Sequence, residues 1–266
     1  MKKTNAFYYL SIILFSLFFI SALAVSDAKV TMKKILNKPD PDEVISILKN
    51  GNQRFTNGKS IHPNIHSARL VQAETENQKH HAYATVLTCS DSRVPVEIIF
   101  DAGIMDLFIV RVAGNVCNVD EAGSIEYGLA HVHTPVLVVL GHTQCGAVTA
   151  VTHALQGKGH ALERNIVPLV ANIKHAVQKS MKNHPEKKGD KIIPYAIKEN
   201  VWQVIQDLFM ISPATRNLVK ANKVKVIGAI YDVGTGQVNW LPESKVKDIL
   251  NSVDKNPNRA INSMAK

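Results

Sequence analysis

Pro135-Val136-Leu137-Val138-Val139-Leu140 runs without a polar side chain and stops at Gly141-His142-Thr143-Gln144-Cys145-Gly146. Continuous apolar residues, rather than alternating ones, suit a strand buried on both faces, as at the centre of a parallel sheet. Outward from it, Tyr83 to Thr88 and Leu107 to Val112 are β-branched runs upstream, and Lys223 to Tyr231 is a fourth downstream. Helical spacing occupies the gaps, around Ala122 to His131, Gly146 to Leu155, Leu162 to Lys182 and Tyr195 to Met210. In the last of these, Ile197, Val201, Val204, Ile205 and Leu208 form one face. Strands separated by helices require right-handed crossovers, which makes this an α/β chain with four parallel strands. Gly234-Thr235-Gly236 followed by Gln237 to Leu241 predicts a hairpin adding an antiparallel edge strand.

Upstream of the sheet, Asp40-Pro41-Asp42-Glu43 is a helix start, with an acidic N-cap and proline in the first turn. Val44, Ile47, Leu48 and Phe55 follow at helical spacing. This N-terminal helical arm has one apolar stripe and needs a surface beyond its sequence neighbours. The chain has 266 residues, 45% hydrophobic and 20% charged, ordinary values for a globular domain, which we place at 40–266 with a polar leader over 25–39. There is no internal repeat or second boundary. Cys89, Cys117 and Cys145 are too few, and odd in number, for a disulfide framework.

Lys2-Lys3, an apolar run from Ala6 to Ile20 and Ala22-Leu23-Ala24 predict a signal peptide over 1–24, cut after Ala24, with Ser26-Asp27-Ala28 a weaker site. The run is shorter than the ~20 residues that span a bilayer, so no stable membrane insertion is expected after cleavage. The expected location is exported, in a bacterial periplasm. Net charge is +9, and +7 once Lys2 and Lys3 leave with a segment that holds no acid. The basic residues are scattered, and the runs Lys179 to Lys191 and Lys220 to Lys225 read as solvated faces. No nucleic-acid partner is expected.

Two motifs carry chemistry. Thr88-Cys89-Ser90-Asp91-Ser92-Arg93-Val94-Pro95 follows the first strand, and Gly141 to Gly146 follows the third. The C-terminal ends of neighbouring parallel strands face one crevice. Two thiols, an imidazole and a carboxylate therefore converge, a donor set that suits tetrahedral zinc. The spacing of His142 and Cys145, three apart, corresponds to one helical turn, which aims both at one ion. Cys117 has no partner at ligand spacing and reads as a buried thiol. His131 and His133 lie ahead of the third strand; a proton-shuttle role is open, but solvated or capping histidines are commoner. His80, His81, His153 and His160 read as surface residues, and Gly114 and Gly146 as positions of close backbone approach.

These motifs resemble those of the β-carbonic anhydrases. So do Arg111-Val112-Ala113-Gly114-Asn115, Gly51-Asn52-Gln53-Arg54-Phe55 and the Gly228 to Leu241 tail, over about residues 43–242. The resemblance implies one Zn²⁺ per subunit held by Cys89, His142 and Cys145. Asp91 is either a fourth ligand or drawn off the metal by Arg93, in which case it orients a zinc-bound hydroxide toward carbon dioxide. The implied reaction is CO₂ + H₂O to HCO₃⁻ + H⁺, in a homodimer or tetramer whose N-terminal helices embrace the neighbouring subunit. Three other readings stay open: hydrolysis of carbon disulfide or carbonyl sulfide on the same scaffold, a non-catalytic zinc-binding protein, and a thiol redox protein. The last is disfavoured because no Cys-x-x-Cys pair is present.

Overall fold

In the computed structural model, which describes residues 38–264, Asp40 starts the first helix as its sequence directs. Its carboxylate accepts from the N–H groups of Asp42 (2.9 Å) and Glu43 (3.0 Å), two donors that the first turn of a helix otherwise leaves unpaired. Helix α1 spans Pro41–Thr56, and α2 spans Ser67–Thr75. Strand β1 (Ala84–Thr88), helix α3 (Val96–Ile99), strand β2 (Leu107–Arg111) and helix α4 (Val119–Glu126) follow. Helix α4 runs on into a π-turn over Tyr127–His131. Strand β3 (Val136–His142) leads into α5 (Gly146–Leu155), α6 (Ile166–Leu169), α7 (Ile173–Asn183), α8 (Ile193–Ile211) and α9 (Pro213–Lys220). Strands β4 (Lys225–Tyr231) and β5 (Val238–Trp240) and helix α10 (Glu243–Asp254) complete the order. Residues 1–24, read as a signal peptide, and the leader as far as residue 37 lie outside the described residues. Among the described residues no helix is long and apolar enough to cross a membrane.

The sheet order is β2-β1-β3-β4-β5. The first four strands are parallel and β5 is antiparallel to β4. Strand β3 is buried at every position, as its unbroken apolar run requires. Its registers set Thr88 opposite Leu140 and His142 opposite Tyr231, so the chain after β1 and the end of β3 emerge on the same edge.

Helix α1 finds its surface within its own chain. Val44, Ile45 and Leu48 pack in one core cluster with Val136, Val138 and Ile227 of the sheet. Ile45 rather than Ile47 is the buried neighbour of Val44. The surface beyond its sequence neighbours that this stripe needs is thus supplied by the chain's own sheet. Gly51 and Asn52 explain the motif they belong to. A Cβ at Gly51 would lie 1.9 Å from the Phe100 carbonyl oxygen. Asn52 donates to the carbonyls of Ile99 (3.1 Å) and Gly236 (2.8 Å) and accepts from Val238 N–H (2.9 Å), clipping α1 to the β4–β5 hairpin.

One predicted helix is broken. Leu162 to Lys182 divides into α6 and α7, with irregular chain before Ile166 and a turn closed by Ile173 N–H on the Val170 carbonyl. Pro168 has no N–H to give and disfavours helix in the residue before it. Helices α2, α3, α9 and α10 are additions to the elements expected from the sequence. For α9 the signal is present in Ser212-Pro213: the Ser212 hydroxyl caps Thr215 N–H at 3.0 Å, with proline in the first turn.

Candidate metal centre

Cys89 follows β1 directly, His142 ends β3, and Cys145 is the N-cap of α5. The last two therefore straddle a tight turn instead of sharing a helical turn, contrary to the spacing argument. Gln144 makes the turn possible by adopting φ 57°, in the left-handed region. The ligand atoms of Cys89, His142 and Cys145 all lie within 4.8 Å of one another. All three side chains are buried, His142 completely.

The imidazole shows what the cluster is built for. His142 Nδ1 sits 3.0 Å from the Thr143 carbonyl oxygen, which can only accept, so Nδ1 carries the proton and Nε2 a lone pair. That Nε2 is buried with no hydrogen-bond partner among the described residues. An orphaned lone pair beside two thiols costs free energy unless something electrophilic satisfies it. Two thiolates and a neutral imidazole are a donor set that zinc prefers, so the residues present fit the ion.

The sulfurs polarise each other. The Cys89 thiol is pulled down by a hydrogen bond from Cys145 and by the N–H groups of Asp91 and Gly114, against the opposing push of burial. Cys145 is pushed up by the same shared hydrogen bond and by burial. Gly114 N–H approaches Cys89 Sγ at 3.3 Å. It does so from φ 76°, where a Cβ would come within 2.7 Å of Ile173 Cδ1, so close approach does require glycine here. Gly146 differs from expectation: a Cβ there would meet nothing within 4 Å.

Asp91 and Arg93 form a bidentate pair, Nε to Oδ1 at 2.9 Å and Nη2 to Oδ2 at 2.8 Å, with the Arg93 N–H on Oδ1 at 3.0 Å. The hydrogen bonds from the guanidinium hold the Asp91 carboxyl well below the usual carboxylate range. Asp91 Oδ2 is 4.0 Å from His142 Nε2, so the carboxylate stands beside the three-donor cluster and is turned to Arg93. Two sets of contacts go beyond what the motifs suggest. Arg93 Nη2 donates to the Gln144 carbonyl (3.1 Å) and Nη1 to Gln144 Oε1 (3.4 Å). Arg111 Nη2 donates to the Asp91 carbonyl (2.7 Å) and Nε to that of Cys89 (3.2 Å). Both arginines lie inside motifs visible in the sequence, but nothing local tells which distant atoms they meet.

Residues 84–238 match the carbonic anhydrase family. The carbonic anhydrase of Mycolicibacterium smegmatis is 32% identical over 191 residues, covering 72% of this chain and 88% of the relative. Carbonic anhydrase 2 of Mycobacterium tuberculosis is 43% identical over 111 residues, 41% of this chain and 51% of that enzyme. Among solved structures, the β-carbonic anhydrase CafA of Aspergillus fumigatus superposes with a TM-score of 0.60 at 22% identity, covering 79% of this chain and 98% of CafA. The chain belongs to the β-carbonic anhydrases.

In this carbonic anhydrase the remaining candidates lie apart from the three-donor cluster or serve local structure. Cys117 is buried in a different core cluster from Cys89 and Cys145, and burial pushes its thiol up. His131 and His133 are exposed, and the His131 ring stacks on Tyr127 at 5.3 Å. His160 is exposed as expected. His81 and His153 are half-buried and partnered, His81 with Glu76 (2.7 Å) and Arg69 (3.0 Å), His153 with Asp190 (2.9 Å).

Asp207 gives no signal in the sequence because its setting is tertiary. It lies beside Cys117 in a pocket of about 220 Å³, with Oδ2 buried and without a hydrogen-bond partner among the described residues. Burial pushes its carboxyl up to about 6 from 3.8, against the opposing pull of Gln203 and His175. A raised carboxyl contributes stability only below its ordinary value and loses it as pH rises through about 6. Asp207→Asn is therefore expected to stabilise the fold by roughly 2 kcal/mol at pH 8 and hardly at all near pH 4. Urea unfolding of both proteins at the two pH values measures this, and an equal effect at both would refute it.

Proposed function

We propose that this carbonic anhydrase hydrates carbon dioxide reversibly to bicarbonate and a proton, at one zinc ion per subunit held by Cys89, His142 and Cys145. The observation that carries the reading is the unpartnered Nε2 of His142 between two buried sulfurs, beside a carboxylate that Arg93 holds aside. When bound, zinc supplies a Lewis acid that brings the ionisation of water toward neutral pH. The chain's own residues do the rest. Cys89 and Cys145 as thiolates balance the dication, and the Thr143 carbonyl fixes the tautomer of His142. Asp91, kept ionised by Arg93, presents an acceptor beside the donor cluster that orients a protic nucleophile toward the carbon of the substrate. Arg93 restrains the carboxylate from entering the donor cluster itself. Arg111 steadies the same loop by holding the carbonyls of Cys89 and Asp91.

Stopped-flow measurement of CO₂ hydration on protein of verified zinc content tests the reading. Zinc-replete protein without CO₂ turnover would sink it; turnover of carbonyl sulfide or carbon disulfide in its place would favour the hydrolase alternative.

Assembly as a homodimer or tetramer is part of this proposal. It is supported by tetrameric β-carbonic anhydrases of Sordaria macrospora, one of which shares the fold with a TM-score of 0.53 at 20% identity, covering 84% of this chain and 96% of its own. Export to a bacterial periplasm after cleavage of residues 1–24 is also proposed, on Lys2-Lys3, the short apolar run and Ala22-Leu23-Ala24. Mass spectrometry of the protein from its native envelope is expected to find an N-terminus near Val25. Recovery of the Met1 form from membranes would overturn cleavage.

A further inference from the structure

A pocket of about 440 Å³ lies at the C-terminal ends of β3 and β4, next to the turn that carries His142 and Cys145. Its apolar wall is Ile230 of β4 with Ile193, Pro194 and Ile197 from the first turns of α8. Its polar side is Thr143, Gln144 and Thr149. An apolar cleft of this size with few convergent polar groups, at the strand ends of an α/β sheet, has the form of a small-molecule site.

On the polar side, Gln144 Oε1 is a weakly held acceptor. Thr143 Oγ1 already accepts from Val233 N–H at 3.0 Å. Asp190 also borders the pocket, but its carboxylate is largely exposed and paired with His153 at 2.9 Å. Gln144 Oε1 receives only the long 3.4 Å contact from Arg93 Nη1. Arg93 is held more firmly elsewhere, by Asp91 and by the Gln144 carbonyl. A donor bound against Gln144 would therefore compete for an acceptor whose existing bond is weak. The apolar wall and the already paired charge favour an uncharged ligand.

We propose that this pocket binds a compact, uncharged molecule with an apolar body and one hydrogen-bond donor, and that its occupant competes with Arg93 for Gln144 Oε1. The site would thus touch the residue that positions the Asp91–Arg93 pair without touching the metal ligands. Neither part of this depends on which reaction the metal centre performs.

Benzyl alcohol is a suitable test ligand, with toluene as the matched molecule lacking a donor. Titrated into zinc-loaded protein carrying labelled isoleucine δ1 methyls, benzyl alcohol is expected to shift Ile193, Ile197 and Ile230 together, with a Kd on the order of 1 mM for so small a ligand. Ile193→Trp, which fills the pocket, should weaken binding at least tenfold with zinc content unchanged. Pro194→Trp gives the same test from the exposed rim should the first variant fold poorly. Because competition is reciprocal, Arg93→Ala should tighten benzyl alcohol about threefold and leave toluene unaffected. Methyl shifts absent or scattered over the protein, affinity untouched by both tryptophan variants, or benzyl alcohol affinity unchanged in Arg93→Ala would each overturn the proposal.

Discussion

Cys89→Ser, His142→Ala and Cys145→Ser are each expected to lose most of the bound zinc, and CO₂ hydration with it. Each change removes one of three donors that converge within 4.8 Å in a buried site. Loss of a residue that merely orients a metal ligand typically lowers metal affinity by about 10–100-fold, and removal of a ligand itself should exceed that. His142→Ala additionally leaves a cavity where a fully buried ring stood. Cys117→Ser is the matched control, a buried thiol in another part of the core, and should keep its zinc. Elemental analysis of the four purified variants decides the assignment. Zinc depleted in Cys117→Ser but replete in Cys145→Ser would reverse it.

Arg93→Ala and Asp91→Asn are expected to separate metal binding from catalysis. All three ligand residues remain in both variants, so zinc content should stay near one per subunit. Activity should nevertheless fall by about 10²–10³-fold, the size of effect seen when a preorganised polar partner is removed from an active site. The two variants should fail differently. Without its guanidinium partner, Asp91 is freed from the bonds that turn it aside and can join the three protein donors. Its carboxyl also loses the hydrogen bonds that hold it below the usual range. Because it remains a carboxylate well above that range, raising the pH should rescue Arg93→Ala poorly. Asp91→Asn leaves Arg93 in place but removes the anionic acceptor, so its donor cluster should stay three-membered. Spectra of the cobalt-substituted proteins report whether a carboxylate has been added to the donor set. An Arg93→Ala protein with an unchanged cobalt spectrum and near-native CO₂ hydration would end the idea that this arginine restrains Asp91.

Features that depend on a few neighbouring residues are legible in the amino-acid sequence alone. An unbroken apolar run such as Pro135 to Leu140 has few options other than a strand covered on both faces. Asp40-Pro41 starts a helix because its carboxylate and ring suit the first turn and little else. The metal motifs are legible for a related reason. A parallel α/β sheet brings the C-terminal ends of its strands together, so ligand-type residues placed directly after two strands converge whatever the exact packing. Cys89, Asp91, Arg93, His142 and Cys145 all stand in such positions, and the family resemblance divides them into roles.

What the sequence by itself determined, then, is the order of the main elements, the parallel sheet with its antiparallel edge, and the chemistry of the strand-end residues. Only the tertiary structure decided that α1 buries its stripe on its own sheet through Val44, Ile45 and Leu48. It alone decided that Arg93 reaches Gln144 across 51 residues of sequence, and that Asp207 keeps a buried oxygen without a hydrogen-bond partner among the described residues. It also replaced the helical turn expected between His142 and Cys145 with a left-handed residue at Gln144. The physical reason is common to these cases. Hydrophobic patterning and capping act over one or two turns of chain, whereas partner choice depends on register and crossover geometry that place distant atoms within about 3 Å.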